Sequence, residues 1–327
     1  MDLTGKTVLI TGATGSFGSR FIQTLLHKHD VQAIRVFSRD ELKQSQLAER
    51  FDHDERLRLL IGDVRDIERL RRATREVDLI VHAAALKQVP ACEYNPFEAV
   101  QTNIVGAENV ISAAIDNQVP LTVALSTDKA VNPVNLYGAT KLCAEKLFAQ
   151  GNSYAPRGEV RFANVRYGNV VNSRGSVIPL FKAQAAVGEI AITDERMTRF
   201  SITLPQAVDF VLSCLNLIQG GETFVPKIPS LRVADVADVF APEATRRIAG
   251  IRPGEKLHEV LLTEDEARHA FDAGDRFIIV PQRPSWRRTD PDGAALPEGF
   301  RYSSDDNDRW LTHEELAAMG ASLEPAA

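Results

Sequence analysis

The stretch Thr11-Gly-Ala-Thr-Gly-Ser-Phe-Gly18 decides the fold, because it follows a short apolar run, Thr7-Val-Leu-Ile10, and opens a segment of helical spacing. Gly12 and Gly15 let a strand-to-helix turn close tightly and approach a pyrophosphate, and Gly18 allows the helix to pack on the sheet. The helix N-terminus presents oriented N–H donors to such an anion. The sequence therefore predicts the first βαβ unit of a dinucleotide-binding domain; a simple tight turn is the alternative.

Strand-like and helix-like segments alternate from this turn onward. Further apolar runs of strand length lie at 33–37, 57–61, 78–81, 121–125 and 160–165, and helical spacing fills 17–29 and 97–117. This alternation predicts an α/β fold, a doubly wound parallel sheet of the Rossmann type.

The pattern changes after Tyr167, where Gly, Pro and Ser become frequent and the periods shorten. We expect a dinucleotide-binding domain over 1–167 and a smaller substrate-binding lobe over 168–288, part of which returns to the first domain. Residues 289–327 are predicted to form a surface linker and a short helix near Thr312 to Met319. Two lobes imply a cleft between them.

Composition excludes several classes of protein. The 327 residues are 44% hydrophobic and 25% charged, with a net charge of −6 and no basic stripe, so we expect no nucleic-acid partner. Cys92, Cys143 and Cys214 are too scattered for a disulfide framework or a Cys-based metal site, and each lies in an apolar stretch that predicts burial. No signal core or apolar run of spanning length is present, so a cytoplasmic protein without a membrane partner is expected.

The second strand ends Val36-Phe-Ser-Arg39, without the acidic residue that usually binds a ribose 2′-hydroxyl. Ser38 leaves room for a 2′-phosphate, Arg39 can bind it with two N–H groups, and Lys43 approaches from the same side. The sequence therefore predicts NADP as cofactor. The alternative is that Arg39 and Lys43 are solvated helix charges.

Two later turns extend the predicted cofactor site. Asp63 follows the third strand and either meets the adenine or caps a helix, and the small residues of His82-Ala-Ala-Ala85 either admit a nicotinamide or pack a turn. The full predicted cofactor set is Gly12, Thr14, Gly15, Ser16, Phe17, Gly18, Ser38, Arg39, Lys43, Asp63, Val64, Ala83, Ala84 and Lys141.

Tyr137 and Lys141 follow the fifth strand, at the carboxyl edge of the sheet where ligands are expected. They are four residues apart at the start of a helix and so share one face. An ammonium in that position lowers the pKa of the phenol by stabilising phenolate. The pattern predicts a tyrosine that acts as a base.

The sequence resembles the extended short-chain dehydrogenases over nearly its whole length and, within them, the inverting UDP-N-acetylglucosamine 4,6-dehydratases. The motifs that carry the resemblance are Thr11 to Gly18, Ser38-Arg-Asp-Glu-Leu-Lys-Gln44, Ser126 to Lys141, Arg166-Tyr-Gly-Asn169, Ser173-Arg-Gly-Ser-Val-Ile-Pro179, Met197-Thr-Arg-Phe200 and Arg252-Pro-Gly-Glu-Lys-Leu-His-Glu259. The resemblance implies NADP, a UDP-N-acetylglucosamine substrate and a homo-oligomer, either a dimer or a hexamer.

The resemblance also implies a reaction. Transient oxidation of sugar carbon 4 by NADP makes the hydrogen on carbon 5 acidic, water leaves across carbons 5 and 6, and the hydride returns to carbon 6. Tyr137 takes the proton of the 4-hydroxyl while Thr127 and Lys141 hold the oxygen. Lys129 then removes the carbon 5 proton, and Asp128 protonates the departing 6-hydroxyl.

The pair Asp128-Lys129 distinguishes the subclasses, because the retaining dehydratases resembling this fold carry Asp-Glu there. For Lys129 to act as a base its pKa should fall through desolvation or a neighbouring cation. A solvated ion pair is the alternative. The other readings of the whole protein are an epimerase or retaining dehydratase of the same fold, and a non-catalytic NADP-binding regulator.

The substrate is expected to contact residues on both lobes. Cationic groups suit the diphosphate, and polar groups suit the ribose and sugar. Ser201 departs from the large aromatic that the resemblance leads us to expect, which bears on sugar specificity. The predicted substrate set is Lys87, Asn169, Arg174, Thr193, Arg199, Arg252 and Glu255; no metal site is predicted.

Overall fold

A 10-stranded sheet forms the larger part of the molecule in the computed structural model, which describes residues 1–156, 158–171, 177–282, 286 and 289–321. The strands are β1 (Thr7–Thr11), β2 (Ala33–Ser38), β3 (Leu57–Ile61), β4 (Leu79–His82), β5 (Leu121–Thr127), β6 (Arg161–Tyr167), β7 (Asn169–Val170), β8 (Glu189–Ile192), β9 (Thr198–Ile202), β10 (Thr223–Pro226), β11 (Ser230–Arg232), β12 (Thr245–Ile248), β13 (Val260–Leu262), β14 (Ala270–Asp272), β15 (Arg276–Ile279), β16 (Ala294–Ala295) and β17 (Tyr302–Ser303).

Helices cover both faces of this sheet and build the second lobe. They are α1 (Ser16–Lys28), α2 (Glu41–Arg50), α3 (Ile67–Ala73), α4 (Val89–Tyr94), α5 (Pro96–Val100), α6 (Gly106–Asp116), α7 (Leu136–Gly151), α8 (Val177–Ala185), α9 (Leu204–Cys214), α10 (Val233–Phe240), α11 (Glu264–Ala267) and α12 (His313–Ala321).

The strand order of the large sheet is β16-β14-β15-β10-β6-β5-β4-β1-β2-β3. From β3 to β10 the neighbours are parallel, which confirms the predicted doubly wound sheet, and β15, β14 and β16 continue it antiparallel. All five residues of β1 are buried, as expected of a parallel strand covered on both faces. The chain thus returns to the first domain at β10 and again at 270–295, so 168–288 is not one continuous lobe.

Two apolar clusters hold the helices on the sheet. One contains Phe21 of α1 and Val208 of α9, and the other contains Leu70 of α3, Val110 of α6 and Phe148 of α7. All five of these side chains are fully buried. Burying each contributes about 1.5–3 kcal/mol relative to exposure, so both faces of the sheet anchor the helices that carry the site.

The predicted helix over 97–117 is interrupted. A π-helical turn over Gln101–Val105 separates α5 from α6. Inside it, Asn103 accepts a hydrogen bond from the Leu86 amide (2.8 Å) and donates to the Leu86 carbonyl (2.9 Å) and to Oγ1 of Thr140 (2.9 Å). The π turn therefore aims one amide side chain at both the loop after β4 and helix α7, a common use of such turns near functional sites.

The second lobe consists of two small sheets, β11-β9-β7 and β12-β8, packed with α8, α10 and α12. Its core includes Ile190, Met197, Val236 and Leu316. The predicted helix near Thr312 to Met319 corresponds to α12.

The predicted surface linker before α12 is confirmed over 289–301, where no residue is buried, but is wrong from Tyr302 onward. Tyr302 is buried, its hydroxyl donates to the Ile228 carbonyl (2.8 Å) and accepts from the Ile228 amide (2.9 Å), and its ring centroid lies 4.7 Å from that of Phe200. The segment reads as a linker because Asp, Pro and Gly dominate it, but its few apolar residues complete the core.

The three cysteines are free thiols. Cys92 and Cys214 are buried as predicted, whereas Cys143 is exposed. The apolar neighbours of Cys143 face inward from α7, and helical periodicity turns the thiol outward.

None of the helices in the described ranges is both long enough and apolar enough to cross a bilayer.

Candidate active site

A cleft of about 900 Å³ lies between the carboxyl edge of the large sheet and the second lobe. Ligands of open α/β sheets bind at this edge. The predicted residues that line it are Gly12, Thr14, Gly15, Ser16, Phe17, Gly18, Ser38, Arg39, Lys43, Asp63, Val64, Ala83, Ala84, Lys87, Thr127, Lys129, Tyr137, Lys141, Asn169, Thr193, Arg199, Arg252 and Glu255. Asp128 lies beside them, fully buried, and Arg174 lies outside the described residues.

The glycine turn forms one end of the cleft. Gly12 has a φ of +66°, and a Cβ built there would lie 2.8 Å from the amide nitrogen of Ala84, so only glycine fits. Gly15 is the N-cap of α1, and no side chain caps that terminus. A backbone cradle without side chains, at a helix N-terminus, fits the pyrophosphate of a dinucleotide.

Gly18 makes its nearest contacts with the loop that directly follows β1. A Cβ at Gly18 would lie 2.5 Å from the Cα and the carbonyl oxygen of Ala13, within the turn itself. A side chain at Gly18 would therefore meet the preceding loop, and its absence lets the first turn of α1 lie directly against Ala13.

The end of β2 presents two cations to the cleft. The Arg39 guanidinium lies 3.8 Å from the Asp63 carboxylate, and Nζ of Lys43 lies 2.9 Å from that of Asp40. Both cationic side chains are about half exposed, so neither pair is strong. Gln44 donates to Oγ of Ser38 (3.0 Å) and fixes that hydroxyl below them.

Asp63 does not cap a helix. The N-cap of α3 is Asp66, whose side chain accepts from the Arg69 amide, so that alternative for Asp63 is wrong. Both carboxylate oxygens of Asp63 accept hydrogen bonds from Arg65. Burial acts to raise the pKa of Asp63, but these hydrogen bonds outweigh it and hold the pKa below its ordinary value. The carboxylate is thus fixed and ionised at the cleft wall.

Tyr137 and Lys141 are both buried on the first turns of α7. Nζ of Lys141 donates to the Leu125 carbonyl at 2.7 Å, and burial lowers the pKa of Lys141 to about 8. Burial raises the pKa of Tyr137 to about 12, opposed by the charge of Lys129 and a hydrogen bond with Thr127. The prediction that Lys141 lowers this pKa is wrong for the ligand-free protein, since its amine is held at the β5 carbonyl and Lys129 is the cation that acts on the phenol.

Helix α7 sits directly on the turn that carries Lys129. A Cβ built at Gly138 would lie 2.1 Å from the carbonyl oxygen of Lys129, closer than any side chain permits. Asn135 caps the helix by accepting from the Gly138 amide at 2.8 Å. Gly138 was not among the predicted site residues, although its place directly after Tyr137 was an available signal.

The Lys129 amine lies among oxygen atoms. Nζ is 3.0 Å from Oδ1 of Asp128, 3.2 Å from Oδ1 of Asn169 and 3.6 Å from Oε1 of Glu259. Burial acts to lower its pKa, but the two carboxylates outweigh burial and hold the pKa of Lys129 above its ordinary value. The prediction that this pKa falls is therefore wrong for the ligand-free protein, because the buried anions stabilise the ammonium.

Glu259 is the functional candidate that the sequence analysis missed. It closes the quoted motif that begins at Arg252, it is 3% exposed, and it lines the cleft. The available signal was a second acidic residue, four positions after Glu255, in a motif already assigned to substrate.

The two predicted arginines of the second lobe, Arg199 and Arg252, differ in exposure and in hydrogen bonding. Arg199 donates to the carbonyls of Thr198 (2.7 Å), Leu257 (3.1 Å) and Lys256 (3.0 Å), and its side chain is 11% exposed. Arg252 is 60% exposed and lies 3.8 Å from Glu255. Arg252 can therefore bind a phosphate with two N–H groups, whereas most N–H groups of Arg199 are committed to the backbone.

Unpartnered buried polar atoms concentrate at the cleft. Buried polar groups in folded proteins are nearly always hydrogen-bonded, so clustered exceptions indicate where a ligand belongs. Among the described residues, six of the ten such side-chain atoms lie at the cleft or directly behind it. They are Oγ1 of Thr102, Oγ of Ser126, Oδ2 of Asp128, Oγ of Ser201, Oε2 of Glu255 and Oε2 of Glu259.

Comparison with known proteins places most of the chain in one family. The family described as polysaccharide biosynthesis protein matches residues 8–281. The chain is 48% identical, over 95% of its own length and 96% of the relative's, to a protein of Campylobacter jejuni named UDP-N-acetylglucosamine 4,6-dehydratase (inverting).

Other relatives carry other names. A protein of Rickettsia massiliae named UDP-glucose 4-epimerase is 44% identical over 84% of this chain and 82% of its own length. The X-ray structure of Pen from Bacillus thuringiensis superposes with a TM-score of 0.89 at 39% identity, covering 99% of this chain and 100% of that one. The fold, including the second lobe, is therefore shared with solved relatives.

Proposed function

The chain belongs to the polysaccharide biosynthesis protein family, and we propose that it is an inverting UDP-N-acetylglucosamine 4,6-dehydratase. The similarity to the Campylobacter enzyme over nearly both full lengths supports this substrate and reaction. The observation that carries the proposal is that the Tyr137 phenol, the Lys129 amine and the buried Asp128 carboxylate converge at the cleft that also holds the glycine turn.

The chemistry needs a redox partner and an acid-base pair. When bound, a nicotinamide dinucleotide supplies a hydride acceptor for carbon 4 and a hydride donor for carbon 6. The ketone at carbon 4 makes the neighbouring hydrogen on carbon 5 acidic. Without that ketone, no side chain of the site is a strong enough base to remove it.

Tyr137 acts first as general base, accepting the proton of the 4-hydroxyl. A phenol of raised pKa needs nearby stabilisation to lose its own proton, and Lys129 and Thr127 provide a positive charge and a hydrogen bond. We assign Lys141 the support of the same oxygen once the substrate is bound, because it lies one helical turn further along α7. In the ligand-free protein its amine donates to the Leu125 carbonyl.

Transfer of one proton from the Lys129 ammonium to the Asp128 carboxylate, along their 3.0 Å hydrogen bond, first makes the amine a base and the carboxyl an acid. Lys129 then removes the carbon 5 proton, and Asp128 delivers its proton to the departing 6-hydroxyl. Oδ1 of Asp128 accepts from Lys129 and from the Thr127 hydroxyl (2.9 Å), while Oδ2 has no partner among the described residues. Proton exchange between the acid and the base is thus direct. A carbon 4 epimerase needs no acid-base pair for carbons 5 and 6, so this pair favours dehydration over the 4-epimerase activity named for the Rickettsia relative.

We assign the nucleotide and the sugar to the second lobe and to the loop that follows β4. We assign the diphosphate to Arg252 and Lys87, and the ribose and sugar to Asn169, Thr193 and Glu255, which line the cleft. Ser201 is 1% exposed with an unpartnered Oγ, so this chain has a small hydrogen-bonding residue where an aromatic was expected. Arg174 stays a prediction outside the described residues.

Incubation with UDP-N-acetylglucosamine in D₂O tests the function. We expect a product lighter by one water, with solvent deuterium at carbon 5 and inverted configuration there, read by mass spectrometry and NMR. An epimerised sugar that keeps its water and takes up no deuterium would establish the epimerase instead. A dehydrated product with retained configuration at carbon 5 would establish a retaining dehydratase. Tight NADP binding without turnover would establish a non-catalytic regulator.

We propose NADP as the preferred dinucleotide, held by Arg39 and Lys43 above the Ser38 hydroxyl. Arg39→Ala is expected to weaken NADP binding about tenfold to a hundredfold, because a hydrogen-bonded charge contributes about 1.5–3 kcal/mol. NAD binding should change little, since NAD lacks the 2′-phosphate. Calorimetric titration with both dinucleotides measures the difference.

Arg72→Ala is the matched control, because Arg72 is exposed on α3 and outside the cleft. Its affinities should equal those of the unaltered protein. Equal losses of NADP and NAD affinity in Arg39→Ala would refute the assignment of Arg39 to the 2′-phosphate.

We also propose a homo-oligomer, a dimer or hexamer, that works in the cytoplasm. Tyr94 and Phe97, on α4 and α5, are 87% and 82% exposed, and adjacent exposed aromatics are typical of contact surfaces. The free thiols suit a reducing compartment.

A further inference from the structure

Glu259 reaches the catalytic edge from the second lobe. It directly precedes β13, and its amide donates to Oγ of Ser304 (2.9 Å) while its carbonyl accepts from the Ser304 amide (2.8 Å). Oγ of Ser304 is in turn 2.7 Å from Oγ1 of Thr198. The main chain of Glu259 is therefore fixed by β9 and the segment after β17, and its side chain points into the cleft.

Three cations surround this one carboxylate. Oε1 lies 3.6 Å from Nζ of Lys129 and 3.9 Å from Nε of Arg199, and Oε2 lies 3.5 Å from Nζ of Lys256. Oε2 accepts no hydrogen bond from any described residue. A carboxylate that is 3% exposed needs such compensation, since an isolated buried charge is strongly destabilising.

Lys129 is consequently held from two sides. Asp128 is its neighbour in the chain, so that contact follows from the local turn. Glu259 lies 130 positions further along the chain, so the second contact depends on the tertiary structure. Two anions on different elements fix the direction of a flexible four-carbon side chain better than one. They also oppose the loss of its proton.

We propose that Glu259 is a positioning residue for the dehydration: its carboxylate fixes the Lys129 ammonium at the cleft and determines how readily that amine releases its proton to become the base. This inference rests on the proposed function only for the identity of the reaction. The segment that begins with Arg252 and Glu255 at the substrate also ends in Glu259, so substrate binding and placement of the base depend on one stretch of chain.

The charged groups that face Lys129 come from every element around it. Asp128 and Glu259 favour the ammonium, Arg199 on β9 disfavours it, the Tyr137 phenol faces it from α7, and Lys256 acts indirectly by compensating Glu259. Neutralising Glu259 removes one of two stabilising anions. The pKa of Lys129 then falls, and neutral amine accumulates at a lower pH.

Competitive acetylation of the ligand-free protein tests this directly. Acetic anhydride reacts with neutral amines, and peptide mass spectrometry compares Lys129 with the exposed Lys146 in the same sample. At pH 8, Glu259→Gln is expected to acetylate Lys129 about tenfold faster than the unaltered protein, because loss of a close anion shifts a pKa by about one unit or more.

Glu255→Gln is the matched control, since Glu255 lies in the same motif and cleft but pairs with Arg252. Its Lys129 acetylation should match that of the unaltered protein. If Glu259→Gln does not fold, Glu259→Asp draws the carboxylate back by one methylene and should produce a smaller increase. Unchanged acetylation in Glu259→Gln, or an equal increase in Glu255→Gln, would overturn the proposal.

Measuring the reaction rate against pH distinguishes a failure of this inference from a failure of the proposed function. With UDP-N-acetylglucosamine, the ascending limb of the pH–rate profile should move to lower pH in Glu259→Gln only, because the base forms more readily. Failure of the unaltered protein to dehydrate that sugar would reject the function, while the acetylation of Lys129 would still test Glu259. A uniform loss of rate at every pH, with no shift of the limb, would assign Glu259 a merely structural role.

Discussion

Tyr137→Phe is expected to lower kcat by about a hundredfold to ten-thousandfold, which is the usual contribution of a positioned general base. The phenyl ring fills the same buried space beside Cys92 and Ala99, so the fold and the cleft should be unchanged. KM for the nucleotide sugar should change little, because the lost proton transfer belongs to the transition state and not to substrate binding. Steady-state kinetics with UDP-N-acetylglucosamine measures both constants.

Tyr154→Phe is the matched control, since Tyr154 is 78% exposed and outside the cleft. It should keep full activity. Deuterium uptake at carbon 5 should fall with kcat in Tyr137→Phe, because carbon 5 is acidic only after carbon 4 is oxidised. A variant that retained more than about a tenth of the activity would remove Tyr137 from the role of base.

Arg166→Met is expected to lower the free energy of unfolding by about 3–5 kcal/mol, because it leaves buried carboxylates without their cation. Arg166 is 1% exposed on β6 and pairs with Glu145 of α7 (2.6 Å) and with Glu266 of α11 (2.9 Å). It also donates to the Leu261 carbonyl at 2.9 Å. One guanidinium thus ties β6, the helix of Tyr137 and the segment of β13 and α11 together. Urea unfolding measures the loss.

The stability loss in Arg166→Met should shrink on acidification. Burial acts to raise the pKa of Glu266, but Arg166 outweighs it and holds the pKa below its ordinary value, so the unaltered protein loses this contribution as pH falls through that lowered pKa. In the variant the Glu266 carboxyl is buried without its cation, so burial is left to raise its pKa, and protonation then favours the folded state as pH falls. The difference in the free energy of unfolding therefore narrows first as pH falls through the raised pKa of Glu266 in the variant. It narrows again below about pH 4.5, where the unaltered protein loses the contribution of the ion pair.

Arg196→Met is the control for this change. Arg196 pairs with Asp194 at 2.7 Å, as close as the buried pairs, but its side chain is 72% exposed. Its substitution should change the free energy of unfolding far less than that of Arg166, because solvent screens an exposed pair. Equal losses of unfolding free energy at Arg166 and Arg196 would contradict the role of burial. A triple variant, with Arg166 changed to Met and both Glu145 and Glu266 changed to Gln, should recover most of the stability, because no buried charge is left unpaired.

The fold could be predicted where the signal is local and repeated. Six parallel strands were predicted within two residues of their bounds, because buried parallel strands are continuous apolar runs. The return of the chain at β10, β14 and β15 to the large sheet was only partly foreseen. Short strands of four residues or fewer carry little periodicity, and their pairing partners lie far away in the sequence.

In the candidate site, too, local motifs could be predicted and long-range contacts could not. The glycine turn, Ser38 with Arg39, and the pair Tyr137 and Lys141 were found because each motif sits at a fixed place relative to a strand or helix. The structure brings all of these residues to one cleft. The directions expected for two pKa values were wrong, because the sequence does not say which charges surround a side chain.

The sequence by itself determined the parallel sheet and the glycine turn, since these depend on neighbours within one helical turn or one strand. The acid and base roles of Asp128 and Lys129 followed from the resemblance to a family and stay a prediction. Only the tertiary structure decided the electrostatics. It placed Glu259 beside Lys129 and Glu266 beside Arg166, contacts between residues about a hundred or more positions apart. Charge interactions depend on distance and burial in space, and neither is encoded by spacing along the chain.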